Sequence, residues 1–213
     1  MLQSLWSLVS PPFCMSCRIG LPQREPLCIK CAREHLIPCV SKTLTINSCY
    51  VMPVHAASLY EGIIQRLIRA KHFNNRLAAR QLGVCVARHA GLDWAAYDVV
   101  IPVPLHWKRW YKRGFNQAEV MAQQIASLHD LVVDTHLKRY RRSEYQASLT
   151  RVERQHNVAN CFMYNKALNT LKDRRILLVD DVMTTGATLT AAAKVLAQGM
   201  PSAITAVVAA RGR

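Results

Sequence analysis

The run ILLVDDVMTTGATL, from Ile176 to Leu189, decides the fold: an apolar stretch, two adjacent acids, a turn of small residues, and the start of a helix. A short unbroken apolar stretch bounded by turn residues is the mark of a strand buried on both faces, as in parallel sheets. Asp180 and Asp181 then arrive at the strand's carboxyl end, where carboxylates can accept hydrogen bonds from a vicinal pair of hydroxyls such as those of a ribose. Thr184, Thr185, Gly186, Ala187 and Thr188 can wrap a phosphate with hydroxyls and backbone N–H groups at a helix N-terminus, whose dipole favours negative charge. Gly186 permits close backbone approach. A nucleoside triphosphatase loop is excluded, because no Gly-Lys-Thr or Gly-Lys-Ser follows the glycine. An acidic strand end with an ordinary capped helix after it is the plainer alternative, and the paired acids before Thr-Thr-Gly-Ala-Thr weigh against it.

Working outward, strands are expected over Tyr50 to Leu59, Asp98 to Ile101, Arg175 to Val179 and Ala203 to Ala209. Helices are expected over Gly62 to Ala70, Arg76 to His89, Asn116 to about Leu128 and Ala187 to Gln198, the last stopped by Gly199. Asn116 and Glu119 form a cap with its third-position acid, and Thr150 to Glu153 repeats that signature. Strands alternating with helices give an α/β fold, a parallel sheet covered by helices, whose ligands sit at the carboxyl ends of the strands. Composition changes near residue 50. The reading is therefore a small N-terminal region, 1–48, ahead of a main domain, 49–213.

Cys14-x-x-Cys17 and Cys28-x-x-Cys31, ten residues apart, have the compact spacing that closes a tetrahedral four-thiolate zinc site. A redox Cys-x-x-Cys would belong beside a thioredoxin-like βαβ unit, not in a doubled, Pro-rich stretch. No apolar run reaches the roughly 20 residues of a membrane span, and Leu2 to Val9 lacks the basic segment of a signal peptide. A cytoplasmic protein is expected, so eight cysteines do not read as a disulfide framework. Cys39, Cys49, Cys85 and Cys161 read as packing residues.

Lys and Arg number 28 against 13 Asp and Glu, a formal net charge of +15. Such a field suits an anionic partner. Two clusters interleave cations with aromatics: His106 to Arg113, with Lys108, Arg109, Trp110 and Lys112, and Lys138 to Arg142, with Arg139, Arg141 and Arg142. That mixture suits single-stranded nucleic acid, with cations along the backbone and rings under the bases. Equally, Trp107 and Trp110 could pack into the core while their neighbours snorkel to water.

The segment from Asp180 to Thr188 resembles the phosphoribosyl pyrophosphate (PRPP) motif of type I phosphoribosyltransferases. With Ile101 to Leu105, Arg113 to Gln117, Gln146 to Leu149, Arg154 and Asn157, nearly the whole chain is similar to the ComF family of competence-associated proteins. The resemblance implies a Rossmann-like five-stranded core, ribose hydroxyls on Asp180 and Asp181, and the 5-phosphate in the loop from Thr184 to Thr188. It also implies pyrophosphate at Val103, Pro104, Leu105 and Arg113, with Mg²⁺ bridging ribose and pyrophosphate. The stretch from Lys138 to Asn160 corresponds to a mobile segment over the site. Relatives often carry a second pair of knuckles, here lost or reduced, since Cys39 and Cys49 lack partners at knuckle spacing.

No separate segment to form a nucleobase-selective hood is expected between the last expected strand and Arg213, and the N-terminal region is expected to cover an acceptor instead. No residue reads as a general base, and the eight histidines show neither a zinc-protease spacing nor a nucleophile elbow. Three functions follow. The first is a ComF-type protein that binds PRPP and single-stranded DNA in DNA uptake, natural transformation or use of imported DNA, with protein partners in the uptake machinery. The second is an active phosphoribosyltransferase acting on an amine or nucleobase. The third is a sugar-phosphate sensor without turnover.

Overall fold

The computed structural model describes residues 13–21, 25–37, 39–70, 76–105, 111, 114–140 and 161–212. Helix α1 (Ile29–His35) is followed by strands β1 (Cys39–Thr45) and β2 (Val51–Ala56) and helices α2 (Gly62–Ala70) and α3 (Arg76–His89). Strand β3 (Val99–Pro102), helix α4 (Gln117–His129) and the short strands β4 (Leu137–Arg139) and β5 (Phe162–Tyr164) come next. Strand β6 (Arg175–Met183), helix α5 (Ala187–Ala197) and strand β7 (Ala203–Arg211) complete the order. The main sheet runs β1-β2-β7-β6-β3. All its pairs are parallel except β1 with β2.

Strand β1 is not among the strands that the sequence predicts. It makes the sheet mixed and gives residues 39–45 to its edge. Two further differences are extensions: β6 continues through the acidic pair to Met183, and β7 continues to Arg211, each held by the other in parallel register. Beyond β3, Val133 adds a parallel bridge to Val100, and β4 with β5 forms a separate antiparallel ribbon. Asp134 fixes the base of that ribbon: its N–H donates to the Val100 carbonyl at 2.9 Å, and its carboxylate accepts from the Tyr164 hydroxyl at 2.7 Å.

Period-two alternation divides the core. Leu177, Val179 and Val207 face a layer built from α1, α2, α3 and α4, where they meet Ile64, Leu67, Leu82, Met121 and Ile125. Ile176, Leu178, Ile204 and Ala206 face the opposite layer, with Leu189, Ala192 and Leu196 of α5 and Phe162 and Tyr164 of the ribbon. In α2 the apolar spacing that predicts the helix, Ile63, Ile64, Leu67 and Ile68, is the buried stripe. Helices α3 and α4 approach closely at Gly83, where a Cβ would lie 2.9 Å from the Gln124 Cβ and 3.1 Å from the Met121 backbone.

The N-terminal segment belongs to this core. Cys14, Leu27, Cys31, Ala32 and Leu36 are buried in the same layer as Leu67 and Leu82. The Ser58 hydroxyl donates to the His35 carbonyl at 2.7 Å, and Arg88 of α3 pairs with Glu25. No helix among the described residues is long and apolar enough to cross a membrane.

At the amino ends of β3 and β6, Arg175 grips Asp98 through its backbone N–H (2.7 Å), Nε (3.2 Å) and a terminal nitrogen (2.9 Å). These side-chain and backbone donors bring the Asp98 carboxyl down to about 2. A depressed folded value contributes stability above the unfolded pKa and loses it as pH falls through the folded one. Asp98→Asn should therefore flatten the stability profile between about pH 4 and pH 2, read from urea midpoints of both proteins; parallel profiles would contradict this role.

Candidate functional site

Two loops leave the carboxyl ends of adjacent parallel strands. In β3 and β6, Pro102 lies opposite Val179, the residue before the acidic pair. The Val103 N–H donates to the Val179 carbonyl at 2.8 Å, so the turn through Val103, Pro104 and Leu105 begins one strand spacing from Asp180. Val103 is buried, whereas Pro104 and Leu105 are half-buried. Asp180 and Asp181 are also half-buried, and the Asp181 N–H donates to Oδ1 of Asp180 at 2.8 Å. The face alternation of β6 breaks here: Val179 and Val182, three residues apart, both pack toward the layer of α1 to α4.

The turn that follows is held from several sides. Gly186 adopts φ 82°, the left-handed conformation that glycine takes without penalty, and starts α5. A Cβ there would also lie 2.7 Å from the Leu44 side chain, so β1 packs directly under the loop. The Gly212 N–H donates to the Met183 carbonyl at 2.8 Å, and the Ala187 N–H donates to Oγ1 of Thr185 at 3.3 Å. Thr184 and Thr185 are exposed, and Ala187 and Thr188 are half-buried. The Thr190 N–H makes the first intrahelical bond, to the Gly186 carbonyl. The N–H groups of the preceding first-turn residues therefore have no intrahelical acceptor, which is the geometry that receives an anion.

Asn116 has a use the sequence did not reveal. It precedes α4, as expected, but its side chain makes no cap bond. Instead its Nδ2 donates to the Val103 carbonyl at 3.0 Å, fixing the first peptide of the Val103 turn. Cap and loop anchor draw on the same short polar side chain, so composition alone does not separate them.

Cys14, Cys17, Cys28 and Cys31 converge, with all sulfurs within 4.8 Å of one another and Cys17 and Cys28 at 3.7 Å. Tetrahedral zinc, with Zn–S bonds of about 2.3 Å, requires sulfurs about 3.8 Å apart, and the cluster is compatible with such a structural site. Local folding explains the convergence. Cys28 is the N-cap of α1, accepting from the Cys31 N–H, and the Cys14 carbonyl accepts from the N–H of Arg18, a left-handed residue that closes the first knuckle. Burial raises the Cys14 thiol, but N–H donors from Cys28, Cys17 and Ser16 outweigh it and bring it to about 6. Burial pushes Cys31 up to about 12, a hydrogen bond with Ser16 opposing it and the neighbouring thiols of Cys28, Cys17 and Cys14 adding to it.

The remaining cysteines divide. Cys85 and Cys161 are buried, as expected of packing residues. Cys49 is exposed, contrary to expectation, because it sits in the β1–β2 turn, where Oδ1 of Asn47 accepts from the N–H groups of Cys49 and Tyr50. Of the expected nucleic-acid residues, Arg139 alone lies among the described residues. It is half-buried in β4, with its guanidinium 5.2 Å from the Phe162 ring centre. Lys108, Arg109, Trp110, Lys112, Arg141 and Arg142, and the pyrophosphate candidate Arg113, lie outside them, as does the Cys39 side chain.

Residues 111–213 match the phosphoribosyl transferase domain family. Competence protein F of Haemophilus influenzae is 30% identical over 188 residues, covering 87% of this chain and 78% of that protein. DNA utilization protein YhgH of Salmonella typhimurium is 27% identical, covering 86% and 83%. Competence protein ComFC of Bacillus subtilis is 35% identical over 100 residues, 46% of this chain and 38% of its own. Among solved structures, the allosteric regulatory enzyme of purine biosynthesis is similar over 62% of this chain, which spans 25% of that one, at 16% identity and a TM-score of 0.45. By its likeness to competence protein F along most of both chains, and by the transferase-type domain in its second half, the chain belongs to the ComF family.

Proposed function

We propose that the chain is a cytoplasmic protein that binds PRPP with Mg²⁺ between its two strand-end loops, and binds single-stranded DNA, in DNA uptake, natural transformation or the use of imported DNA. The observation that supports the ligand is the β3–β6 register: with Pro102 opposite Val179, the Val103 turn starts one strand away from Asp180, and the Thr184 turn follows at the end of the same strand β6. In this reading Asp180 and Asp181 accept from the ribose hydroxyls, and Thr184 to Thr188 surround the 5-phosphate. The Val103 to Leu105 turn, with Arg113, takes the pyrophosphate. Mg²⁺, a hard cation that prefers such oxygens, would be held largely by the ligand itself. The four-cysteine centre holds zinc, on the strength of its sulfur spacing. The DNA role draws on the names of the competence and DNA utilization relatives and on the excess of cations.

Calorimetric titration with PRPP tests the ligand. Saturable binding is expected that needs Mg²⁺ and is displaced by inorganic pyrophosphate; no heat at any Mg²⁺ concentration would remove the reading. Pyrophosphate release across a panel of amines and nucleobases would add turnover to it.

A further inference from the structure

Helices α1, α2 and α3 contain seven Lys and Arg residues but a single acid, Glu34. Six of the cations fall in pairs: Lys30 with Arg33, Arg66 with Arg69, and Arg76 with Arg80, all exposed. Residues three or four apart share a helix face, with Cβ atoms roughly 5–6 Å apart. Helix α1 packs on α2, and α2 packs on α3. Packed helices lie about 8–10 Å apart, so the pairs make three rows spanning on the order of 20 Å. The seventh cation, Arg88, is paired with Glu25. Among the described residues Arg66, Arg69 and Arg80 have no ion-pair partner. The third row reaches the rim of the candidate phosphate site, because Arg76 lies over the Phe115 ring at 5.5 Å and the next residue, Asn116, holds the Val103 turn.

Glu34 lies four residues after Lys30 and offsets one charge of the first row, but a face with six cations and one acid still repels itself unless an anion covers it. We propose that the outer face of α1, α2 and α3 is the surface that carries single-stranded nucleic acid, its phosphates crossing the three rows toward the candidate PRPP site. This inference rests on the single-stranded DNA reading above. It gives that reading a location apart from the ribbon, where Arg139 is half-buried whereas the six paired cations are exposed. A membrane surface fits less well. The exposed large apolar residues on these helices are Ile29 and Leu77, isolated on α1 and α3, and not the continuous stripe that enters a headgroup layer.

The test is fluorescence anisotropy of a labelled oligothymidylate at several salt concentrations. It compares wild type, the triple variant Arg66→Gln, Arg69→Gln, Arg80→Gln, and a charge-matched control, Lys172→Gln, Arg174→Gln, Lys194→Gln, on exposed positions elsewhere. Each phosphate neutralised on a single strand contributes about −0.7 to the logarithmic salt slope. The first triple variant should bind about tenfold more weakly at low salt, with a slope flatter by about 2, while the control stays within about twofold of wild type. Circular dichroism and zinc content should match wild type in both. Wild-type-like binding by the first variant, or equal losses in both, overturns this surface while leaving the DNA reading in place. No binding by wild type at low salt removes both. Loss of affinity for anionic lipid vesicles, with oligonucleotide binding intact, assigns the face to a membrane and also overturns the proposal.

Discussion

Replacing Cys31 by Ser is expected to abolish the zinc binding proposed for the four-cysteine cluster and, with it, to cost about 3–6 kcal/mol of stability. The sulfur is one of four converging within 4.8 Å, and three thiolates leave the tetrahedron open. The larger cost comes from what the knuckle carries. Leu27 and Leu36 are 6% and 5% exposed and pack in the same layer as Leu67 and Leu82, so releasing the segment returns both side chains to water at about 1.5–3 kcal/mol each. For a chain of this size, with about 2–4 °C per kcal/mol, the melting temperature should fall on the order of 10 °C. Metal analysis of protein prepared without chelator should give one zinc per wild-type chain and none in the variant. Absence of metal from wild type, or an unchanged melting temperature in the variant, would contradict a metal-braced core.

That the cysteine segment would share the main core was not legible in the sequence. Four cysteines at knuckle spacing specify a metal centre, but nothing in the spacing says where Leu27 and Leu36 are buried. Strand β1 was missed for a related reason. The run Val40 to Ile46 alternates weakly, with Leu44 and Ile46 inward, but it follows the cysteines directly and pairs only at an edge, with a register shift between Val40 and Lys42. Its partner β2 was legible, although shorter than expected, at Val51–Ala56. Strands β4 and β5, of three residues each, are too short for any period to show.

What was legible is what burial on both faces or helical periodicity writes into composition. Helices α2 and α3 have the expected limits, and α5 ends one residue before the expected Gln198. Strand β6 is legible only as far as Val179, because two acids look like a strand's end; parallel pairing with β7 carries it through them to Met183. The relation between the Val103 turn and the acidic pair was not legible. They are separated by some 75 residues of sequence and meet only through the β3–β6 register, which no local pattern contains.

The acidic pair should have the larger effect on ligand affinity. Asp180→Asn with Asp181→Asn retains shape, and the side-chain amide carbonyl introduced at position 180 can still accept from the backbone N–H at 181, so the turn should keep its fold. What the variant loses is charge on the acceptors proposed for two ribose hydroxyls. Hydrogen bonds to charged groups contribute about 1.5–3 kcal/mol each, and 1.4 kcal/mol is tenfold in affinity. Calorimetric titration of PRPP with Mg²⁺ into both proteins, matched for zinc content and melting temperature, is the most direct test of a phosphoribosyl site at the ends of β3 and β6. Saturable wild-type binding, weakened by at least about 100-fold in the double variant, is the predicted result; equal or tighter binding by the variant would contradict the assignment.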